Sequence, residues 1–421
     1  MTADGHLTTC LLRDIGNSRD AIIKLCSDLI KIPSENPPGD MSQVAGFIKD
    51  RLSAAGAHIE TYEPEKGHIN LVVRVGSATG RNRLILNGHM DVVPAGDHSR
   101  WTIQPYSGEV SHGYIHGRGA TDMKGGLAGI ITATELLSRH QEQLRGQVIL
   151  TAVCDEETIG TLGTMWLVNE GKVSGDYCIV AEPTSNHLID VGMKGAFWLK
   201  IRVTGKPAHG SLSPYAGKSA ILEGLSISNR LMELTRLQAN PPKEISRTIQ
   251  ESKAIAEKIL GVKGIGRILE HPTINVGKIS GGRKVNMIPD ECEMEVDSRL
   301  PIGIPTAKAE ASLRRILATQ IKKGTASYEI VNRTEPNYTS PRSLLVTALR
   351  NNIKNTFHKD AAIFVQWATS DARFFRAIHI DTAQYGPSVL EGIHGYNEKV
   401  KADDLVSATK VYLTTALDLC A

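Results

Sequence analysis

Apolar segments that lead to a histidine or to acidic side chains are the feature that most constrains the fold of this chain. The segment 84–86 leads to His89, 148–153 leads to a run of three acidic residues, and 177–180 leads to Glu182. Helical patterns separate these strand-like segments, and such alternation is typical of an α/β sheet covered by helices on both faces. Because ligands gather outside the carboxyl ends of the strands in such a sheet, these polar side chains are expected to meet at one edge.

His89 and Asp91 form the first pair of interest. They are two positions apart, which places both side chains on one face of an extended chain. A carboxylate there can hydrogen-bond the free nitrogen of the imidazole, fix its tautomer and strengthen it as a metal ligand. The pair alone also fits a solvated loop at the end of a strand, so the rest of the chain has to decide between the two interpretations.

Further carboxylates and a second histidine occur at similar positions later in the chain. Asp122 stands in a glycine-flanked turn before a helix, Asp155, Glu156 and Glu157 follow a strand, and His394 lies in a loop bounded by glycines. Carboxylates crowded at one sheet edge raise each other's pKa unless cations neutralise them. Two histidines with several carboxylates are a ligand set for a pair of divalent, zinc-like ions.

Composition narrows the class of protein. A chain of 421 residues is too long for one ordinary core, so two domains are expected. The net charge of +3 is too small to favour nucleic acid or an anionic membrane as the main partner. The six cysteines are scattered, which favours a reducing compartment, and no apolar run has the length of a signal peptide or a membrane span. We therefore expect a cytoplasmic protein.

The pattern of alternating strands and helices gives way to a different pattern near Gly195 and returns near Asn337. Between them, alternating apolar runs and a long helix from about Ser219 to Leu237 predict a compact α+β module. The α/β texture then returns, with a strand predicted at 378–380. The expected organisation is a catalytic domain formed by residues 1–194 and 337–421 with an inserted domain at 195–336.

Five motifs in a fixed order carry a resemblance to a known family. They are HMDVVP at 89–94, GRGATDMKG at 117–125, DEE at 155–157, EPT at 182–184 and IH at 393–394. On these motifs the sequence resembles the M20 metallopeptidase and deacylase family, which includes desuccinylases, deacetylases and carboxypeptidases. The resemblance implies a zinc-peptidase-like α/β catalytic domain, with a mixed sheet flanked by helices, and an inserted α+β lid or dimerisation domain.

The resemblance also assigns roles to the clustered residues. Asp122 would bridge two zinc ions, for which cobalt or manganese could substitute. The other ligands would be His89 and Glu182 on one ion, and Glu157 and His394 on the second. Asp91 would orient His89, and Glu156 would be the general base for the attacking water. Spacing alone does not say which of Glu156 and Glu157 binds metal; only the resemblance separates them.

Three residues of the inserted segment align with lid positions of the family. His209 would help to stabilise the tetrahedral intermediate and would often come from the other subunit of a dimer. Asn286 and Arg299 match positions associated with substrate binding, and the guanidinium of Arg299 could hold a carboxylate with two parallel hydrogen bonds. A salt bridge between Arg299 and Asp297 is an equally good interpretation. The segment 241–271 looks longer and richer in lysine than the lid of the desuccinylases.

Two further stretches have simpler interpretations. Asp155 has no metal role in the family, and we expect it to cap a helix N-terminus. The stretch 369–374 resembles a segment near the active site, although capping of the following helix is the plainer explanation.

The expected activity is that of a dinuclear metal-dependent hydrolase that cleaves the amide bond of an N-acyl amino acid. Its substrate would be a small molecule, and the protein would be a homodimer through the inserted domain. A carboxypeptidase or dipeptidase with the same metals is the alternative within enzymes, because both use an activated water and an anchor for a carboxylate. A binding protein that kept the fold but lost the chemistry is the alternative from another class, and it would be expected to lack the base or a ligand.

Overall fold

The computed structural model describes residues 3–80 and 82–421. The helices are α1 Ala3–Asn17, α2 Arg19–Ile30, α3 Ser42–Ala54, α4 Gly125–Ser138, α5 Thr164–Asn169, α6 Ala220–Leu231, α7 Lys243–Leu260, α8 Thr306–Lys322, α9 Leu344–Phe357, α10 Ala372–Ala377 and α11 Ala402–Cys420. The strands are β1 Ile59–Glu65, β2 His68–Gly76, β3 Arg83–His89, β4 Val110–Ser111, β5 Tyr114–His116, β6 Gln147–Val153, β7 Tyr177–Val180, β8 Leu188–Met193, β9 Gly195–Thr204, β10 Thr273–Gly281, β11 Glu291–Leu300, β12 Ala326–Arg333, β13 Asn337–Tyr338, β14 Ala362–Gln366, β15 Asp381–Gln384 and β16 Lys399–Lys401.

The chain divides into two compact units. The first consists of Met1–Val191, Thr339–Ile363 and Ser370–Ala421, and the second of Gly192–Tyr338 and Phe364–Thr369. The assignment of a catalytic role to one part and a lid role to the other stays a prediction.

A mixed sheet of nine strands dominates the chain. Its order is β1-β2-β6-β3-β7-β15-β8-β13, with β14 paired to β8. The four central neighbours β6, β3, β7 and β15 run parallel to one another. Every residue of β6 is buried, as is expected of a parallel strand covered on both faces. The carboxyl ends of these strands therefore lie at one edge, where His89 is level with Val153.

Helix α4 is buried along its whole length. Its sequence consists almost entirely of apolar and small residues, and its one charged side chain, Glu135, forms an ion pair with Arg51 at 2.6 Å. Helix α11 packs against α4 and is also largely buried. Because α4 begins at Gly125, its burial fixes the position of the turn that carries Asp122.

The second unit is built on an antiparallel sheet with the order β10-β11-β9-β12. Buried and partly exposed residues alternate along β11, so that one face of the sheet is apolar. Helices α6 and α8 contribute buried residues to the same core. This arrangement is the α+β module that the alternating runs predict.

The α/β class with a mixed sheet flanked by helices is confirmed, and two element boundaries differ from prediction. The helix from Ser219 ends as an α-helix at Leu231 and continues as a 3-10 turn, Met232–Arg236. The strand predicted at 378–380 is wrong, since the strand is Asp381–Gln384. His379 has a φ of 64°, a left-handed conformation that ends α10 and delays the extended chain.

Among residues 3–80 and 82–421, no helix combines the length and apolar character needed to cross a lipid bilayer.

Candidate metal centre

Two groups of potential metal ligands lie in the first unit and share one residue. The first group is His89, Asp122 and Glu182, and the second is Asp122, Glu157 and His394. Within each group, one donor atom per residue lies within 4.8 Å of the others. These are the five residues to which the resemblance gives ligand roles.

Asp122 lies between the two histidines. Its Oδ1 is 3.2 Å from Nε2 of His89, and its Oδ2 is 3.2 Å from Nε2 of His394. Glu182 completes the first group, with Oε1 3.7 Å from the same His89 nitrogen, and Glu157 completes the second, with Oε2 3.2 Å from His394. One carboxylate thus offers one oxygen to each group, which is the geometry of a bridging ligand.

The sheet explains how residues so far apart in sequence meet. His89 is the last residue of β3, Glu157 lies in the 3-10 turn Glu156–Thr158 just after β6, and Glu182 follows β7 by two residues. These strands are parallel neighbours, so their ends open onto one edge. The sequence pattern predicts this part of the cluster.

The approach of α4 to the end of β7 depends on a glycine. A Cβ on Gly126 would lie 2.0 Å from the main-chain oxygen of Ala181, the residue before Glu182. A side chain at Gly126 would therefore push the helix away from the strand end. Because glycine has no side chain, the turn that carries Asp122 can come close to Glu182.

Asp91 has more contacts than the spacing of His89 and Asp91 suggests. Nδ1 of His89 is 2.8 Å from the main-chain oxygen of Asp91 and 3.4 Å from its carboxylate. A proton on Nδ1 donated to that oxygen leaves Nε2 free to bind a cation. The carboxylate itself accepts from the backbone N–H groups of Glu156 and Glu157, at 3.2 and 3.1 Å, and from Nδ2 of Asn36 at 2.9 Å. Asp91 therefore positions the segment 156–157 as well as the imidazole.

The carboxylates of the cluster repel one another, and a bound cation would reduce this repulsion. Burial raises the pKa of Glu182 and Glu157, and the charge of Asp122 raises both further. Burial lowers the pKa of His89, but hydrogen bonds to Asp122 and Asp91 and the charge of Glu182 raise it well above its usual range. Hydrogen bonds to Asp122 and Glu157 raise the pKa of His394 to about 10. Without a metal, protons on the imidazoles are thus the only positive charges among the ligands.

The donor set fits a divalent metal. Nitrogen from imidazole and oxygen from carboxylates are the ligands of zinc and of related ions in catalytic sites. Oε1 of Glu157 is buried and has no hydrogen-bond partner, although a buried carboxylate oxygen is costly to leave unpaired. An ion bound by Glu157 would satisfy that atom.

Glu156 lies beside the ligand groups without belonging to either. Burial raises its pKa well above the usual range, His89 opposes this, and the charges of Asp371 and Glu157 add to it. Nη1 of Arg373 is 3.9 Å from Oε1 of Glu156. A buried carboxylate with a raised pKa is suited to accept a proton and to release it again.

The stretch 369–374 does more than cap a helix. Ser370 caps α10 through its hydroxyl, which accepts from the N–H of Ala372 at 3.2 Å. Asp371 is buried, accepts from the hydroxyl of Thr164 at 2.6 Å, and has a pKa that burial raises to about 6. Arg373 donates to the main-chain oxygen of Ile159. Sequence reasoning noticed this stretch but did not connect it to Glu156.

Asp155 does not cap the turn that follows it. Its φ is 63°, and no side-chain capping bond is made to the turn Glu156–Thr158. Its carboxylate instead accepts from the N–H groups of Leu162 and Gly163, at 2.9 and 2.7 Å, just before α5. The helix-cap prediction is therefore wrong for the adjacent turn, because the chain loops back and places a later segment against this carboxylate.

The three residues predicted to lie in the lid belong to the second unit. Nδ1 of His209 is 2.7 Å from the hydroxyl of Ser211, and the N–H of Gly210 donates to the main-chain oxygen of Asn286 at 2.8 Å. His209 and Asn286 thus lie on adjoining loops. Their roles stay predictions.

Arg299 makes the lid salt bridge that was one of its two interpretations. Its Nε is 2.7 Å from Oδ1 of Asp297, its Nη1 donates to the hydroxyl of Thr369 at 2.9 Å, and its guanidinium lies 5.4 Å from the centre of the Trp198 ring. The role of Arg299 in substrate binding stays a prediction.

Sequence reasoning missed Glu398, although this residue is buried beside the centre. Its carboxylate accepts hydrogen bonds from the loop that carries Asp122. The only signal was its position four residues after His394.

Comparison with known proteins identifies the family and agrees with the fold. The profile of peptidase family M20/M25/M40 matches residues 85–418. The chain is 28% identical over 403 residues to a succinyl-diaminopimelate desuccinylase of Methylorubrum extorquens, an alignment that covers 93% of this chain and 96% of the relative.

Solved structures share the fold at lower identity. An M20 family metallo-carboxypeptidase from Sulfolobus solfataricus has a TM-score of 0.78 at 21% identity, with 94% of this chain and 98% of that chain covered. A dinuclear metal binding peptidase of the M20 family from Bacillus subtilis has a TM-score of 0.67 at 14% identity, with 96% and 98% covered. The family profile covers more than half of the chain and includes every residue of the two ligand groups. The chain therefore belongs to peptidase family M20/M25/M40 and is a metal-dependent hydrolase that acts on amide bonds.

Proposed function

We propose that this protein is a dinuclear deacylase that hydrolyses an N-acyl amino acid, of the desuccinylase or deacetylase type, to a carboxylate and a free amine. The observation that carries the proposal is the position of Asp122, which turns one oxygen toward each histidine. The relative from Methylorubrum, which is aligned over nearly its whole length, supports the choice of acyl amino acids.

The residues present would hold two ions, with His89 and Glu182 on one, Glu157 and His394 on the other, and Asp122 shared. Such a pair of ions supplies Lewis-acid chemistry: it lowers the pKa of a water and stabilises negative charge on the amide oxygen. Zinc is the proposed ion, with cobalt or manganese as substitutes, because imidazole and carboxylate ligands suit all three.

Glu156 is the proposed general base. Its carboxylate takes one proton from the attacking water as the water oxygen bonds to the amide carbon, and it delivers that proton to the leaving nitrogen as the C–N bond breaks. Arg373 limits the movement of the carboxylate through its proximity to Oε1. Asp91 holds the backbone of the same turn.

Three residues of the inserted domain, 195–336, are proposed to act as parts of a lid. His209 would stabilise negative charge on the substrate, and Asn286 and Arg299 would bind it. This assignment comes from the family resemblance. All six cysteines are free, which fits the reducing cytoplasm that we propose as its location.

A metallo-carboxypeptidase or dipeptidase is the second candidate. The structural likeness to the Sulfolobus metallo-carboxypeptidase favours it. Cleavage of a peptide bond needs the same base and the same ligands, so only the substrate separates the two activities.

A substrate panel tests the proposal. N-succinyl and N-acetyl amino acids and a matched set of dipeptides are incubated with the protein and zinc, cobalt or manganese, and the amine released is measured. We expect kcat/KM for at least one N-acyl amino acid to exceed that for every dipeptide by about 10-fold or more, and activity to disappear with a chelator and return with metal. Hydrolysis of dipeptides alone would contradict the proposal and favour the second candidate.

An exposed apolar stripe of the second unit supports the proposed homodimer. Leu222, Leu225 and Met232 are exposed on α6 and the turn after it, and Ile279 is exposed on β10. Strand β10 is at the edge of its sheet, and α6 packs beside it. An open edge strand next to an apolar stripe can pair with the same strand of a second copy around a two-fold axis.

Ile279→Glu is expected to convert the dimer to a monomer. A charge buried in the middle of such an interface would weaken association by about 100-fold or more. The measurement is the molar mass by sedimentation or light scattering across a concentration series. Val331→Glu, an exposed apolar residue on the opposite edge strand β12, is the matched control and should leave the dimer unchanged. A monomeric wild-type protein, or dissociation by the control alone, would refute this interface.

A further inference from the structure

We propose that Glu398 is a positioning residue that holds the loop of Asp122 and the loop of His394 together, and so sets the spacing of the second ligand group. This inference rests on the proposed function, because it concerns how the ligands are held. It assigns a role to a buried carboxylate that binds neither substrate nor metal.

Four donors converge on the two carboxylate oxygens of Glu398. Oε1 accepts from the N–H groups of Thr121 and Asp122, both at 2.9 Å. Oε2 accepts from Nη1 of Arg118 at 2.6 Å and from the N–H of Gly119 at 3.0 Å. All four donors belong to one loop of five residues. One of these donors is the backbone N–H of Asp122, the proposed bridging ligand.

The same loop is tied to the chain around His394 through other atoms. Nη2 of Arg118 donates to the main-chain oxygen of Gly395 at 2.7 Å, and the N–H of Gly117 donates to the main-chain oxygen of Glu398 at 2.9 Å. The hydroxyl of Thr121 donates to the main-chain oxygen of Lys399 at 2.6 Å. Residues 117–122 and 395–399 therefore form one hydrogen-bonded assembly with Glu398 at its centre.

Both oxygens of Glu398 are fully used by this assembly. The carboxylate of Glu398 is 1% exposed, and the side chain of Arg118 is 2% exposed. With four donors on it, the carboxylate has no oxygen left over for a cation, and it is in neither ligand group. It therefore acts through Asp122 and His394.

A buried ion pair is a poor source of stability. The cost of removing both charges from water often equals or exceeds their attraction, and apolar residues of similar volume usually stabilise a fold at least as well. Such a network instead holds the loop in a single conformation, because each hydrogen bond fixes one point of the loop. A metal site needs a fixed loop conformation, since ligands that are misplaced by about 0.5 Å bind less well.

The second ligand group depends more on this assembly than the first. Asp122 and His394 are two of the three residues of the second group, whereas Asp122 alone connects Glu398 to the first. We expect a defect at Glu398 to weaken one ion more than the other. A role in stability alone would affect both ions equally or neither.

Glu398→Gln is the test. The amide keeps the volume of the side chain but replaces one acceptor by a donor, which then faces two of the four donors. Titration of the metal-free protein with cobalt, followed by the absorption of the bound ion, is expected to show two binding steps in wild type. In the variant, one step should lose about 10–100-fold in affinity while the other changes by less than about 3-fold. The value of kcat should fall and KM should stay within about 2-fold.

Glu135→Gln is the matched control. Glu135 is another buried glutamate of the first unit, and it pairs with Arg51 rather than with the ligand loops. This variant removes the same charge from a buried ion pair and should lower the melting temperature without changing either cobalt step. Glu398→Asp keeps the charge and shortens the reach, so it serves as the test if the glutamine variant does not fold.

The outcomes separate this inference from the proposed function. Unchanged cobalt steps in a folded Glu398 variant, or an equal weakening of both steps, would overturn the role of Glu398 and leave the dinuclear proposal standing. A wild-type protein that binds fewer than two ions would contradict the dinuclear proposal, and this inference with it.

Discussion

Glu156→Gln is expected to bind metal ions like wild type and to lose about 10²–10⁴-fold in kcat. The amide has the volume of the carboxylate, but it cannot take a proton from water and pass it to the leaving nitrogen. Glu156 is in neither ligand group, so metal content should not change. The measurements are metal analysis of the purified protein and the rate of amine release at saturating substrate. Glu156→Ala should give the same result.

The neighbouring residue provides the contrast. Glu157→Gln removes a ligand of the second group and should lower metal affinity as well as activity. Glu170→Gln, an exposed glutamate, should change neither. Normal turnover of Glu156→Gln would contradict its role as the general base. Loss of metal from Glu156→Gln but not from Glu157→Gln would show that the roles of the two residues are exchanged.

Asp122→Asn is expected to weaken both metal-binding steps by more than about 100-fold and to abolish turnover. Loss of a residue that only supports a ligand typically costs 10–100-fold in affinity, and Asp122 is a ligand candidate for both groups. The carboxylate of Asp122 also lies 3.2 Å from Nε2 of both His89 and His394, so the substitution removes a negative charge from both imidazoles. The measurement is a cobalt or zinc titration of the metal-free protein.

His394→Ala is the comparison for that prediction. His394 belongs to one group only, so one step should weaken and the other should persist. Two intact steps in Asp122→Asn would contradict the bridging role. Loss of both steps in His394→Ala would show that the two groups do not bind independently.

The sequence by itself predicted that part of the candidate site gathers at one sheet edge, although it did not separate Glu156 from Glu157 as a ligand. His89 ends an apolar strand, and Glu157 and Glu182 follow apolar strands within a few residues. The local periodicity of the sequence indicates these strands. Once the strands are parallel neighbours, their ends must share an edge. No contact between distant residues has to be known for this step.

Asp122 and His394 required more than periodicity. Their places in the cluster came from the resemblance, because a glycine-flanked turn and a loop histidine carry no local signal of what lies beside them. The structure places them through the burial of α4 and through the chain around Glu398.

The tertiary structure alone decided the contacts that hold the ligands. The carboxylate of Glu398 meets the N–H of Asp122 across 276 positions, and the hydroxyl of Thr164 meets Asp371 across 207. The hydrogen bond from Arg299 to the hydroxyl of Thr369, across 70 positions, is of the same kind. Strand and helix periodicity arises from interactions a few residues apart, so a single sequence reveals it. Buried hydrogen bonds between distant segments depend on the packing of the whole unit, and for that reason only the folded chain reveals them.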